Sequence, residues 1–501
     1  MSTFKQPTRR DLFRAAAATG LAAAVPPSTA SARRVALENE QPGTRDWILK
    51  HPRVDPTTRY RCPWLEGYAS RTSIKPGEVL TVHVSANPPG EFIADVYRLG
   101  YYQGQGGRHV MSVGPLAAET QADPPVGQKR LRECQWPVSM ELPIPDDWLS
   151  GVYLIKLQSL RSDIPTDSYV IFIVRDDRPA DFLFQCSDHT WNAYNRWPSQ
   201  FALYDDGHNE WYWGPEVQVS FDRPYGKYCQ ILDAPLSIGS GEFLLWEFPL
   251  AFWLEQHGFD VSYVSNTDTH FDPENLLRAK AFLSVGHDEY WTLEMYQNVQ
   301  RAIAEGVNVA FFSGNALCGL VDLHPSADGR QGRIVERVGL FGELDDSAEG
   351  FPEMKKLPNF GPNEGLLIGA RNKYPVTGGG DWICRSPDHW VFAGTGMREG
   401  DGIPGLVGWE WHAEPADIPG LEVVASGPTN NNSVAGHYDA TIYPGPQGNF
   451  VFNAATIWWS DGLSEPPGYV RPNIYNHTRP LGPDPRVQRI TQNLLERFRS
   501  T

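Results

Sequence analysis

Directly after the apolar run Ala281-Phe-Leu-Ser-Val285, the chain sets an imidazole, two carboxylates and a phenol in succession, His287-Asp288-Glu289-Tyr290. Imidazole and carboxylate groups exchange protons in enzymes, and phenolate and carboxylate oxygens are hard donors for a metal ion. His287, Asp288, Glu289 and Tyr290 therefore make a polar cluster that could bind a metal ion, on a turn from strand to helix. A second group follows another apolar run in Phe311-Phe-Ser-Gly-Asn315-Ala-Leu-Cys318, where Asn315 can position a substrate and Cys318 can act as ligand or nucleophile. In a third, Gly405-Leu-Val-Gly-Trp-Glu410-Trp-His412, Glu410 lies between two tryptophans. A carboxylate in such apolar company is ligated, paired or raised in pKa. Each group also has a plainer reading. Asp288 can cap the next helix with Tyr290 packed on it, and Asn315 and Cys318 can be a turn residue and a packed thiol.

These residues act together only if the fold brings them to one edge. The segments 182–185, 260–265, 281–285 and 307–312 read as buried strands, with helical patterns over 247–256 and over 292–305, the latter stopped by Gly306. Strand, helix and strand in that order imply a parallel sheet, and ligands of such sheets bind beyond the carboxyl ends of the strands. The aromatic run Trp191-Asn-Ala-Tyr194-Asn195 falls on the same edge. In a class I glutamine amidotransferase-like α/β sheet, the turn after 285 would carry a nucleophilic cysteine. None stands there, which argues against thiol catalysis at that elbow. Upstream, 45–176 reads as short alternating runs, such as 80–85, 92–97, 152–157 and 169–174, with frequent turns. This predicts an all-β sandwich of immunoglobulin type, joined to the α/β domain at 180–500 by a polar linker. Residues 320–450 are rich in turns and read as a β-rich insertion. The strand 449–453 and the helix 487–499 close the domain.

A chain of 501 residues accommodates two or three domains. Its 43 basic against 60 acidic residues give a net charge of −17, which leaves no electrostatic footprint for nucleic acid or anionic lipid. Six scattered cysteines show no zinc-ribbon spacing. Buried thiols and one or two disulfides are both open, with Cys62 and Cys134 as a plausible pair. At the start, Thr8-Arg9-Arg10-Asp11-Leu12-Phe13-Arg14, the apolar run 15–25 and Ala30-Ser31-Ala32 resemble a twin-arginine export signal over 1–32, cut near Arg33. That places the product in the periplasm or outside the cell, and implies that any cofactor is loaded before export. No later apolar stretch reaches the roughly 18 residues of a membrane span.

In order along the chain, Leu99-Gly-Tyr-Tyr102, Trp148-Leu-Ser-Gly-Val-Tyr153, Thr190-Trp-Asn-Ala-Tyr-Asn195, Ser284-Val-Gly-His-Asp-Glu-Tyr-Trp291, Phe311-Phe-Ser-Gly-Asn315, Ile403-Pro-Gly-Leu-Val-Gly-Trp-Glu410 and Val451-Phe-Asn-Ala454 resemble the large-subunit-like family of N,N-dimethylformamidase. The resemblance implies a β domain followed by an amidotransferase-like domain. It also implies hydrolysis of a small amide, a ferric ion held by two tyrosines and one glutamate, and a small partner subunit or a homo-oligomer. Tyr290 matches one tyrosine of that set and Glu410 the glutamate, and His287, Asp288 or Glu289 would shuttle protons in the implied reaction. If the second tyrosine belongs just after the Ser-Gly-Asn block, this chain has Cys318 and Gly319 in its place. Two other readings stay open: a non-catalytic envelope or carbohydrate-binding protein, and an oxidative metalloenzyme using Cys318 and Tyr290.

Overall fold

The computed structural model describes residues 32–209, 211–228, 233–344, 351–373, 377–431, 433–471 and 482–501. The twin-arginine motif of the expected export signal and Cys229 lie outside them. Strands dominate and helices are few, so the fold is mostly β. The reason lies in the second half of the chain, whose runs join long antiparallel ladders and leave only part of the main sheet with crossover helices.

The first strands form two sheets. One pairs Glu66–Ala69, Val79–Ser85 and Met140–Pro143. The other orders Ser73–Ile74, Asp167–Val174, Gly151–Ser159, Gly90–Leu99 and Gly107–Ala118. Alternating residues of both, among them Leu80, Val82, Leu142, Phe92, Val96, Ile155 and Phe172, meet in one core.

The main sheet has nine strands. Its parallel part runs Val261–Ser265, Ala180–Cys186, Ala279–Gly286, Asn308–Ser313 and Phe450–Asn453. Asn308–Ser313 is buried throughout, as a strand covered on both faces must be, and this explains its nearly continuous apolar run. The helix Leu293–Ala304 turns Met295, Tyr296, Val299, Ala302 and Ile303 inward. The terminal helix Pro485–Ser500 buries Val487, Ile490, Leu494, Leu495 and Phe498. Beyond Phe450–Asn453 the sheet continues antiparallel through Ala435–Pro444, Glu422–Asn430, Gly378–Ile383 and Gly402–Trp409. Much of the stretch expected to be an insertion therefore extends the main sheet. Other strands of it, Gly319–His324 and Ile334–Phe341, build a smaller sheet with Gln218–Ser220, Asn359–Gly361 and Tyr290–Trp291. None of Cys62, Cys134, Cys186, Cys318 and Cys384 is in a disulfide. Of the two readings left open, Cys62 and Cys134 follow the buried-thiol one, and both side chains pack in apolar clusters.

One buried ion pair locks the early strands to the main sheet. Arg98, in the strand Gly90–Leu99, donates to both oxygens of Glu255 on the helix Phe248–Gln256 at 2.8 and 3.0 Å, and both side chains are fully buried. The Glu255 carboxylate also accepts from Tyr263 at 3.1 Å and Asn39 at 2.9 Å. Arg98→Met leaves that carboxylate buried without its cation, and should cost about 3–5 kcal/mol of stability, read from denaturant unfolding. A loss under about 1 kcal/mol would show that the pair contributes little there.

Candidate active site

At the carboxyl edge of the parallel strands, Gly286 lies beside Ser313, whose hydroxyl donates to the Gly286 carbonyl at 2.7 Å. His287, Asp288 and Glu289 follow, and Tyr290–Trp291 re-enters as a short strand in register with Gly319 and Leu320. All five side chains are buried. Their partners differ sharply. Asp288 accepts from Gln185 at 2.6 Å, Ser284 at 2.7 Å and Asn266 at 2.9 Å, so it braces neighbouring strand ends with both its oxygens taken up. It does not cap the following helix. Thr292 stands beside the first turn and its hydroxyl accepts from the Met295 amide.

His287 faces three carboxylates. Its Nε2 lies 2.9 Å from Glu410 Oε2 and 3.2 Å from Glu289 Oε2, and its Nδ1 lies 3.7 Å from Glu242 Oε2. Burial disfavours an imidazolium, but the facing carboxylates, Glu410 foremost, outweigh it and hold the ring protonated well above the usual histidine range. Burial pushes Glu410 up, with His287 pulling it back, and pushes Glu242 up to about 7. These approaches are ion contacts out of line for hydrogen bonds. Glu410 Oε2, both His287 nitrogens and both Glu242 oxygens are buried without a hydrogen-bond partner, an arrangement expected where a site is built to receive something. The rings of Tyr194, Trp246 and Trp409 wall the imidazole at 5.1, 5.9 and 6.1 Å between centroids.

Phenols supply the hydrogen bonds that Glu289 needs. Tyr194 donates to Glu289 Oε2 at 2.7 Å, and Tyr204 lies 3.0 Å from both its oxygens. Tyr290 donates to the Tyr204 hydroxyl at 2.7 Å. Burial, then the charge of Glu289, keeps all three phenols protonated. Tyr194 also senses Glu410 and Tyr290, so the groups from different segments face one volume.

Glu410 follows the strand Gly402–Trp409, and Gly314 allows its approach. A Cβ at Gly314 would lie 2.2 Å from the Glu410 carbonyl. The next residue, Asn315, sits in the left-handed region at φ 56°, and its side chain favours the ionised form of Glu410. Cys318 packs at the edge of an apolar cluster with Tyr290, Val321 and Leu340. Gly319 lies flat against Tyr290, where a Cβ would come within 2.4 Å of the ring.

Of the residues singled out from sequence, His287, Glu289, Glu410, Asn315 and, through the phenols, Tyr290 come together, whereas Asp288 and Cys318 face other partners. Glu242 and Tyr204 were missed. Glu242 precedes the apolar run Phe243-Leu-Leu-Trp246, the same acid-among-aromatics signal that marked Glu410. Tyr204 lies in an irregular segment without periodicity. Among the described residues, no three His, Cys, Asp or Glu side chains form a group that could hold a metal ion, so an ion here would draw on the phenols. No helix of the described residues is long and apolar enough to cross a membrane.

A family model described as N,N-dimethylformamidase beta subunit-like, C-terminal, matches residues 93–475, most of the chain. No curated protein matches it.

Gly314→Ala should force apart two backbones that no rotamer change can separate, because its Cβ would meet both the Glu410 carbonyl and, at 2.7 Å, the Ile457 nitrogen. We expect a loss of about 1–3 kcal/mol in denaturant unfolding. An unchanged midpoint would mean that the backbones are not held this close.

Proposed function

The chain belongs to the N,N-dimethylformamidase beta subunit-like family, and from that premise we propose that it hydrolyses a carbon–nitrogen amide bond with the help of a ferric ion. The observation that carries this reading is the buried pairing of His287 with Glu289 and Glu410 at 3.2 and 2.9 Å, on the edge where strand ends meet. The donors suit such an ion, because phenol and carboxylate oxygens are hard and Glu410 Oε2 is buried without a hydrogen-bond partner. Tyr290 and Glu410 would hold it. Cys318 has no part in this reading.

Bound there, the ion would supply Lewis-acid polarisation of the amide carbonyl. The chain's own residues manage the protons. Glu289 takes a proton from the attacking water as its oxygen bonds to the carbonyl carbon. His287, kept as an imidazolium by its carboxylates, protonates the nitrogen as the C–N bond breaks, so that a carboxylic acid and an amine leave. Asn315 keeps Glu410 oriented and ionised, and the rings of Tyr194, Trp246 and Trp409 limit water around the imidazole. Within the same proposal, the parallel strands are read as amidotransferase-like and the early strands as an immunoglobulin-like sandwich. A small partner subunit or a second copy completes the enzyme, and the twin-arginine motif directs its export.

Purified protein should release an amine from small formamides or acetamides. His287→Gln should lower kcat/KM of the folded protein by roughly 10²–10⁴-fold and also lower its melting temperature, since it removes both the proton donor and the cation that faces three buried carboxylates. Equal turnover by this variant would remove His287 from the reaction, and absence of turnover on every small amide by an iron-loaded chain would remove the hydrolase reading. Separately, Arg9→Lys with Arg10→Lys should leave unprocessed precursor in the cytoplasm, detected by fractionation, because the arginine pair is read by a receptor. Normal export of the double variant would refute that address.

A further inference from the structure

We infer that Tyr204 supplies the second phenol of the metal site, a donor that the resemblance implies and that the segment just after Asn315 does not hold. The inference rests on the iron reading proposed above and names the donor that completes it.

The segment after Asn315 has no side chain to give. Gly319 is the register partner of Tyr290, and any Cβ there would run into the Tyr290 ring at 2.4 to 2.5 Å. Cys318 belongs to the apolar cluster around that ring. The space a second donor would need from this side is filled by Tyr290 itself.

Tyr204 approaches from the other side. Its hydroxyl lies 2.7 Å from that of Tyr290 and 3.0 Å from each oxygen of Glu289. Two oxygen donors adjacent on one octahedral ion, each at about 2.0 Å from it, stand roughly 2.9 Å apart, which is close to the separation of these phenols. The Tyr204 ring is also fixed as a ligand's must be. It stacks on Tyr194 at 4.4 Å, meets Trp213 edge-on at 6.3 Å, and lies beneath the buried Arg337 guanidinium at 5.2 Å. That guanidinium is itself held by the carbonyls of Leu203 and Tyr212, which fixes it over the Tyr204 ring. Tyr194 differs in kind. Its side chain is partly exposed and its hydroxyl donates to Glu289, which suits a residue at the mouth of the site that positions Glu289.

The test is iron content and the visible phenolate-to-iron band of the protein as isolated, comparing wild type, Tyr204→Phe and Tyr194→Phe. Wild type should carry about one iron per chain and be coloured. Tyr204→Phe should lose at least tenfold in iron and lose the band or shift it, at an unchanged circular dichroism spectrum, whereas Tyr194→Phe should keep both. Iron and an unshifted band retained in Tyr204→Phe, or an equal loss in Tyr194→Phe, would overturn the assignment while leaving the metal reading intact. A wild type without stoichiometric iron would overturn both. Should Tyr204→Phe not fold, Tyr204→3-fluorotyrosine keeps the hydroxyl and should shift the band, because fluorine stabilises the phenolate electrons. An unshifted band there would equally refute Tyr204 as donor.

Discussion

A carboxylate moved from water into a protein interior costs several kcal/mol unless other groups replace its hydration, and in this molecule Glu242, Glu289 and Glu410 make that move around one imidazole. Each is compensated differently. Glu289 receives the hydroxyls of Tyr194 and Tyr204, so those phenols are oriented by its need and gather at one point. Glu410 is met by His287 and by the amide of Asn315, which requires the close passage at Gly314. Glu242 faces the imidazole at 3.7 Å. The compensation is incomplete by design of the surroundings: orphaned oxygens and nitrogens remain, and three acids face one cation. Such a centre is poised for a cation or a proton, the two species that the proposed metal-assisted hydrolysis would use.

How far this was legible from the sequence depended on whether a residue sat next to a strong local signal. His287, Glu289 and Tyr290 follow an apolar strand run, and Glu410 is an acid among tryptophans, so strand periodicity and the cost of burial pointed to them. The helix start was also readable, but the choice of cap was not. Asp288 and Thr292 both suit a cap by type, and only the position of Gln185, Ser284 and Asn266, from other segments, draws Asp288 away. Tyr204 lay out of reach for the same reason. Its role comes from Tyr290, Glu289 and Arg337, none of them near it in sequence. Which sheet the strands of 320–450 join was not legible, because an antiparallel strand on a covered sheet and a strand of a separate insertion have the same alternating, turn-bounded appearance.

The antiparallel half of the sheet has a mechanical task. Six strand spacings separate Ala279–Gly286 from Gly402–Trp409, about 29 Å in a flat sheet, yet Glu410 reaches within 2.9 Å of His287. The sheet must therefore curl back on itself. Its register slips between Val423 and Ala425 and again between Gly380 and Trp382, and such bulges add local twist. Gly378 and Gly380 let the inner strand settle against the carbonyls of Asn430 and Pro428, where a Cβ would lie 2.5 and 2.4 Å away. Thr456, just past the last parallel strand, then pins the returning edge. Its hydroxyl donates to the Leu406 carbonyl at 2.7 Å and accepts from the Gly408 amide at 3.3 Å. Two residues beyond Gly408 stands Glu410. The carboxylate that pairs with the elbow imidazole is thus held by the curvature of the sheet.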